Sequence, residues 1–106
     1  MEENNVFKFY GMDDFQYYCR SRLMHRYAEM IAEGIVNTPV NEDETTDFVN
    51  NFFVVWSCKT LQNYKCLCST TFDGDGVYAE YTYNGDKQEL YEDIYIKCSN
   101  TCIKEK

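Results

Sequence analysis

The chain has 106 residues, and its 18 acidic side chains outnumber 10 Lys and Arg, which leaves a net charge of −8. A chain of this length predicts one domain with a small two-layer core. The acidic balance disfavours direct binding to nucleic acid, because that binding depends on Lys and Arg neutralising phosphates. It also disfavours anionic membrane surfaces. No apolar run in the sequence approaches the ~20 residues that span a bilayer.

The N-terminal third predicts an arm and a helix. Residues 1–11 are expected to form a loose arm, and they lack the apolar core of a secretory signal, which favours a cytosolic protein. A helix is predicted over 12–34, capped at its start by Asp13 or Asp14 and ended by Gly34 in a left-handed conformation. Its apolar residues recur every three or four positions: Phe15, Cys19, Leu23, Tyr27, Met30 and Ile31.

The polar side of this helix carries a basic cluster, which consists of Arg20, Arg22, His25 and Arg26. One interpretation is that the arginines pair with Glu29, with Glu33 or with the acidic connector described next. The other is that Arg20, Arg22 and Arg26 hold a phosphate-bearing ligand by bidentate contacts. His25 is the only histidine, and because no positioned partner for base catalysis is evident, no catalytic residue is predicted.

Residues 37–47 predict an exposed acidic connector. This stretch holds the only proline, Pro39, together with Glu42, Asp43, Glu44 and Asp47 and no basic side chain. The connector separates the helix from the part of the chain that is richest in β-branched and aromatic residues.

Residues 52–83 predict three antiparallel strands. The first is the apolar run at 52–56, which is short and rich in strand-forming residues. The second, 64–72, alternates, with Tyr64, Cys66 and Cys68 expected on one face. The third is 77–83. The sequence DGDG at 73–76 predicts the turn between the last two, because Gly accepts positive φ and Asp bonds its own backbone.

A second helix is predicted over 87–100. Asp86 and Glu89 fit a capping box, and Leu90, Ile94, Cys98 and Cys102 recur every four residues. The preceding Asn-Gly dipeptide at 84–85 more often closes a hairpin. The predicted fold is therefore α+β, in the order helix, three-stranded meander, helix (α-β-β-β-α), with both helices on one face of the sheet.

The same order of elements occurs in double-stranded RNA-binding domains, which grip RNA with basic residues of their second helix. Here the corresponding segment is acidic, since it includes Asp86, Glu89, Glu92 and Asp93. A shared topology does not carry function with it, so RNA binding is not predicted.

The chain has six cysteines. For a cytosolic protein they are expected to be free thiols that pack as small apolar residues. The pairs Cys66–Cys68 and Cys98–Cys102 have spacings that differ from the Cys-x2-Cys knuckle of structural zinc sites. No metal site and no cofactor are therefore predicted, with zinc kept as the less favoured alternative.

Two segments, 54–72 and 78–95, resemble a family of short proteins of unknown function encoded by phages and prophages of Gram-positive bacteria. The resemblance rests on VW at 55–56 with KTLQN at 59–63, and on YTYNGDK at 81–87. It implies a phage product that acts in the cytoplasm of a bacterial host. It implies no activity, and no catalytic residue follows from it.

The favoured hypothesis is a non-enzymatic anti-defence protein, similar in role to anti-CRISPR proteins, that binds and inhibits a host nucleic-acid-binding protein. Its acidic, Tyr-rich surface would meet a basic surface of the partner. Two alternatives stay open: a sponge for a nucleotide immune signal that uses Arg20, Arg22, Arg26 and aromatics, and a structural or regulatory phage protein. A homodimer is also left open. The predicted partner-binding residues are Glu42, Asp43, Glu44, Asp47, Asp73, Asp75, Tyr78, Glu80, Glu89, Tyr91, Glu92 and Asp93.

Overall fold

One α-helix packs against one side of a four-stranded antiparallel sheet. The computed structural model describes residues 8–36, 48–72 and 76–105. Within them, α1 (Met12–Ala32) and a short 3-10 helix (Phe48–Asn51) precede β1 (Phe52–Thr60), β2 (Asn63–Thr70), β3 (Val77–Asn84) and β4 (Glu89–Ile96). The strands lie in the order β1-β2-β3-β4, and α1 contacts β1 and β2. The predicted α+β class is confirmed, and the predicted order of elements is wrong at its C-terminal end.

Both ends of α1 are fixed by residues that the sequence singled out. The Asp14 carboxylate accepts hydrogen bonds from the backbone N–H groups of Tyr10 and Gly11, each 2.9 Å long. These bonds, the one from Tyr10 first, hold the pKa of Asp14 below its usual value. Gly34 has φ +77°, and its N–H donates to Ile31 while the N–H of Ile35 donates to Met30. These bonds form a Schellman motif, so the predicted left-handed end at Gly34 is confirmed.

The strands β1, β2 and β3 correspond to the predicted meander. Tyr64, Cys66 and Cys68 of β2 alternate toward α1 and are buried, as the sequence indicated. Cys66 pairs with Tyr81 of β3 in the register of the sheet. β1 is longer than the apolar run that predicted it, and it contains a bulge between Val54 and Trp56. The extra residue shifts the alternation of β1 by one position beyond the bulge.

The predicted C-terminal helix is wrong, because residues 89–96 form strand β4 antiparallel to β3. The spacing of four residues that suggested a helix is also a multiple of two, so it places residues on one face of a strand equally well. Leu90 and Ile94 pack against the core, whereas Tyr91 and Tyr95 are exposed on the other side. β-branched and aromatic side chains favour the strand.

The turn between β3 and β4 explains why no helix begins at Asp86. The Asn84 side-chain oxygen accepts the backbone N–H groups of Asp86 at 3.0 Å and Lys87 at 3.1 Å. This arrangement is the Asx turn that Asn favours, and Asn-Gly therefore closes a hairpin here. Gly85 is required for packing, since a Cβ atom on it would lie 2.2 Å from the carbonyl oxygen of Gln62.

The core is divided into two aromatic groups with thiols between them. At one end of α1, the rings of Phe9 and Phe15 have centroids 4.9 Å apart, and both contact Tyr64 and Tyr83. At the other end, Tyr27 stacks on Phe72 with centroids 5.4 Å apart. The fully buried thiols between the two groups belong to Cys19, Cys66 and Cys68.

Candidate functional site

The candidate site is the side of the sheet that faces away from α1, here called the outer face. Strand alternation and register bring side chains from all four strands together there, while α1 packs on the other side. The outer face consists of Phe53, Trp56, Cys58, Lys65, Leu67, Ser69, Tyr78, Glu80, Thr82, Tyr91, Asp93 and Tyr95.

Aromatic side chains dominate this surface. Tyr91 and Tyr95 of β4 are 57% and 52% exposed, and Trp56 and Phe53 of β1 are 43% and 41% exposed. The register places Phe53 and Tyr95 at opposite ends of one row that crosses the sheet through Tyr78. Clustered exposed rings, in contrast to scattered ones, are typical of a protein interface, because Tyr and Trp supply large contact areas with few rotatable bonds.

Carboxylates lie within this aromatic surface. Glu80 and Asp93 are directly opposite each other in the β3–β4 register, an arrangement of like charges that destabilises a sheet. Lys65 lies 3.4 Å from Glu80 and offsets part of this repulsion. At the end of β4, the Tyr91 hydroxyl donates to Glu89 at 3.1 Å, which raises the pKa of Tyr91. A cation brought near Asp93 by a partner would reduce the remaining repulsion.

Sequence reasoning found part of this surface and missed part. Of the predicted partner-binding residues, the outer face brings together Tyr78, Glu80, Asp93 and Tyr91, with Glu89 at its edge. Sequence reasoning missed Phe53, Trp56 and Tyr95. Phe53 and Trp56 lie in the predicted first strand at 52–56, whose unbroken apolar character hides which residues face outward, and the bulge is what moves Trp56 to the outer face. The predicted residues Glu42, Asp43, Glu44, Asp47, Asp73 and Asp75 lie outside the described residues.

Glu92 does not belong to the outer face, because its side chain points toward α1. Its carboxylate accepts a hydrogen bond from the Tyr81 hydroxyl at 2.7 Å and forms an ion pair with Arg22 at 2.8 Å. The hydrogen bond to Glu92 raises the pKa of the Arg22 guanidinium. Glu92 therefore has a structural role, because it joins α1 to β3 and β4.

The basic cluster of α1 is largely engaged within the protein. Arg26 lies 3.4 Å from Glu29 and 3.6 Å from Glu33, which matches the first of the two interpretations of this cluster. His25 lies 3.3 Å from Glu29. The Arg20 guanidinium donates to the carbonyl oxygen of Val49 at 3.5 Å. With Arg22 held by Glu92, the guanidinium groups do not converge on one cavity of the described structure.

The buried cysteines form a thiol cluster. The Sγ atoms of Cys66 and Cys68 are 3.7 Å apart, which confirms that both residues pack in the core on one face. Hydrogen bonds to Cys66, together with burial, raise the pKa values of Cys19 and Cys68. The prediction that Cys98 and Cys102 share a helix face is wrong, since both are exposed beyond β4. No group of His, Cys, Asp or Glu in the described residues has the arrangement of a metal site.

The fold and the outer face together define a small α+β protein with an open, aromatic sheet surface. The chain belongs to the family of unknown function DUF6275, whose model matches residues 18–105. No curated protein and no solved structure shows significant similarity to the chain. Within the described residues, α1 is not long and apolar enough to cross a membrane.

Proposed function

We propose that this protein is a non-enzymatic inhibitor that binds a basic surface of another protein through its outer face. The observation that carries the proposal is the grouping, on one uncovered sheet surface, of exposed rings with Asp93, a carboxylate that has no ion-pair partner in the described residues. Rings at the centre of an interface supply most of the binding energy, while complementary charge speeds association and selects the partner. The favoured partner is a host nucleic-acid-binding protein, because such proteins expose Lys- and Arg-rich grooves.

The proposal extends to a biological setting. A phage product that acts in the bacterial cytoplasm and occupies the nucleic-acid groove of a defence effector would be an anti-defence protein, in the manner of an anti-CRISPR. The acidic composition of the whole chain supports this setting, since the net charge of −8 attracts basic partners over a distance. The resemblance of residues 54–72 and 78–95 to phage-encoded proteins points the same way.

The alternative of a nucleotide sponge built on the arginines of α1 has less support. Arg22 and Arg26 already pair with carboxylates of the protein, so a phosphate would have to displace these partners. Among the described residues, the geometry around the only histidine does not favour an enzyme. His25 is exposed and lies beside Glu29, and no nucleophilic side chain contacts it in the described structure.

Capture from host lysate with matched variants tests the proposal. The variant Tyr91→Ala/Asp93→Asn removes one ring and one charge from the outer face. The control Tyr17→Ala/Asp13→Asn removes the same groups from exposed positions on α1. We expect the wild type and the control to retain the same basic, nucleic-acid-binding protein and the outer-face variant to lose it. Equal retention by all three would contradict the proposal.

Two further measurements separate inhibition from simple adhesion. With the captured protein purified, its affinity should fall as ionic strength rises, because a tenfold increase in salt shortens the screening length about threefold. In a host that carries a CRISPR system, expression of the wild type should restore plaque formation by a targeted phage, and the outer-face variant should not. Affinity that does not change with salt would remove the electrostatic part of the proposal.

A further inference from the structure

A cavity at one end of the sheet is chemically distinct from the rest of this acidic protein. It lies where the β1–β2 turn, the β3–β4 turn and the segment before α1 meet, and its volume is about 470 Å³. Pockets for small molecules typically range from about 300 to 1,000 Å³. The described residues that line it include Lys8 and Lys59 and no acidic side chain.

The two lysines of the cavity have no carboxylate partner in the described structure, although Lys59 Nζ donates to the carbonyl oxygen of Leu61. Neither forms an ion pair with a carboxylate in the described part of the chain, whereas Arg22, Arg26 and Lys65 all do. The Lys8 Nζ lies 5.6 Å from the centroid of the Tyr10 ring, and the Lys59 Nζ lies 5.5 Å from that of the Tyr64 ring. Ammonium groups held over rings at the mouth of a cavity provide both a charge for an anion and flat surfaces beside it.

Tyr64 supplies an independent indication of a missing polar partner. This residue lines the cavity and is only 5% exposed. Its hydroxyl has no hydrogen-bond partner in the described part of the chain. A polar atom of a bound molecule can therefore bond to this hydroxyl without displacing a partner in the described structure.

Two hairpin turns supply part of the cavity wall. Leu61 and Gln88 have φ values of 57° and 55°, and they are the non-glycine residues with positive φ in the described part of the chain. Both line this cavity, one from each turn. Positive φ values are usual in the tight turns that close β-hairpins, so they follow from the two turns.

We propose that this cavity binds a small aromatic phosphate, of which a nucleoside monophosphate is the simplest example. Lys8 and Lys59 contact the phosphate, the base lies against the exposed ring of Tyr10, and the Tyr64 hydroxyl bonds to a polar atom of the ligand. This site is separate from the outer face, and it also differs from the arginine cluster of α1. The proposed ligand site can therefore be tested independently of the protein-binding function proposed above.

Calorimetric titration with AMP, GMP, CMP and UMP tests the site, with adenosine and inorganic phosphate as partial ligands. We expect saturable binding of at least one monophosphate at a single site and weaker binding of either partial ligand. Lys59→Gln and Lys8→Gln should each weaken binding about tenfold, because each removes a charge-assisted contact. Tyr64→Phe keeps the ring and should weaken binding several-fold.

Lys104→Gln is the matched control, since it removes the same charge from an exposed position in the C-terminal segment. Its affinity should stay within about twofold of the wild type. The melting temperature of each variant is measured beside its affinity, so that loss of the fold is separated from loss of the site. The proposal is overturned by absence of binding at millimolar monophosphate, by equal losses in the Lys59 and Lys104 variants, or by inorganic phosphate binding as tightly as the nucleotides.

Discussion

Glu92 forms the polar link between α1 and strands β3 and β4. It joins three elements, because it accepts from Tyr81 on β3 and from Arg22 on α1 while it belongs to β4 itself. Its side chain is only 20% exposed, so its charge is compensated mainly by these partners. Removing one member of such a network leaves the others partly desolvated and unpaired.

Glu92→Gln should lower the free energy of unfolding by about 1–2 kcal/mol, because it removes the negative charge that pairs with the half-exposed Arg22. Urea denaturation followed by circular dichroism measures this change. Glu89→Gln serves as the control, since Glu89 is exposed and, among the described residues, its side chain bonds to Tyr91 at the edge of the outer face. Its effect should stay within about 0.5 kcal/mol. Equal effects of the two substitutions on the free energy of unfolding would show that the Glu92 network does not stabilise the protein.

Tyr81 should make the protein sensitive to alkali. Burial, followed by its hydrogen bond to Glu92, raises the pKa of Tyr81 above its ordinary value of 10.0. Because the pKa of Tyr81 is higher in the folded state than in the unfolded state, the protonated hydroxyl stabilises the fold fully below the unfolded-state pKa. This stabilisation is lost as pH rises above the unfolded-state pKa toward the folded-state pKa. We therefore expect the free energy of unfolding to fall above about pH 10 and to fall less steeply in Tyr81→Phe. Denaturation curves at several pH values measure both slopes, and identical slopes would contradict this assignment.

At the scale of the elements, strand β4 shows most clearly what could not be predicted from the sequence. The helix α1 could be predicted with its N-terminal acid and its final glycine, because helical spacing and capping are local signals. A spacing of four residues at Leu90 and Ile94 does not separate helix from strand, and pairing with β3 decides the outcome. The outer face was found only in part for a related reason. Phe53 and Trp56 are exposed only because the register and bulge of β1 turn them away from α1.

The C-terminal end of α1 allows a clean test of local conformation. Gly34→Ala introduces a Cβ atom into open space, so its cost comes from the left-handed backbone alone. We expect about 1 kcal/mol of destabilisation in chemical denaturation. Gly11→Ala is the matched control at the other end of α1, where the backbone is extended and the Cβ atom also meets nothing. Because Gly11 is also the N-cap of α1, where Ala is less favourable than Gly, this substitution should cost about 0.5 kcal/mol, less than Gly34→Ala. A cost at Gly11 equal to that at Gly34 would contradict the conformational explanation.

At the scale of the whole molecule, the cysteines report on the integrity of the core. Cys19, Cys66 and Cys68 are fully buried where α1 crosses the sheet, between the two aromatic groups. Cys58, Cys98 and Cys102 are exposed, on the outer face or beyond β4. A reagent can reach the first set only when the helix and sheet separate, whereas it can reach the second set in the native state.

Ellman's reagent should therefore modify Cys58, Cys98 and Cys102 rapidly in the native protein and the remaining thiols slowly. The slow rate should track the population of unfolded molecules, because the buried thiols become accessible only through opening of the core. Glu92→Gln and Gly34→Ala should each accelerate the slow phase in proportion to their loss of stability, and Gly11→Ala should accelerate it less. Cys58→Ser should remove one equivalent from the fast phase alone. Rapid modification of Cys66 or Cys68 in the native protein, identified by mass spectrometry, would contradict this core and the packing of α1 on which the outer face depends.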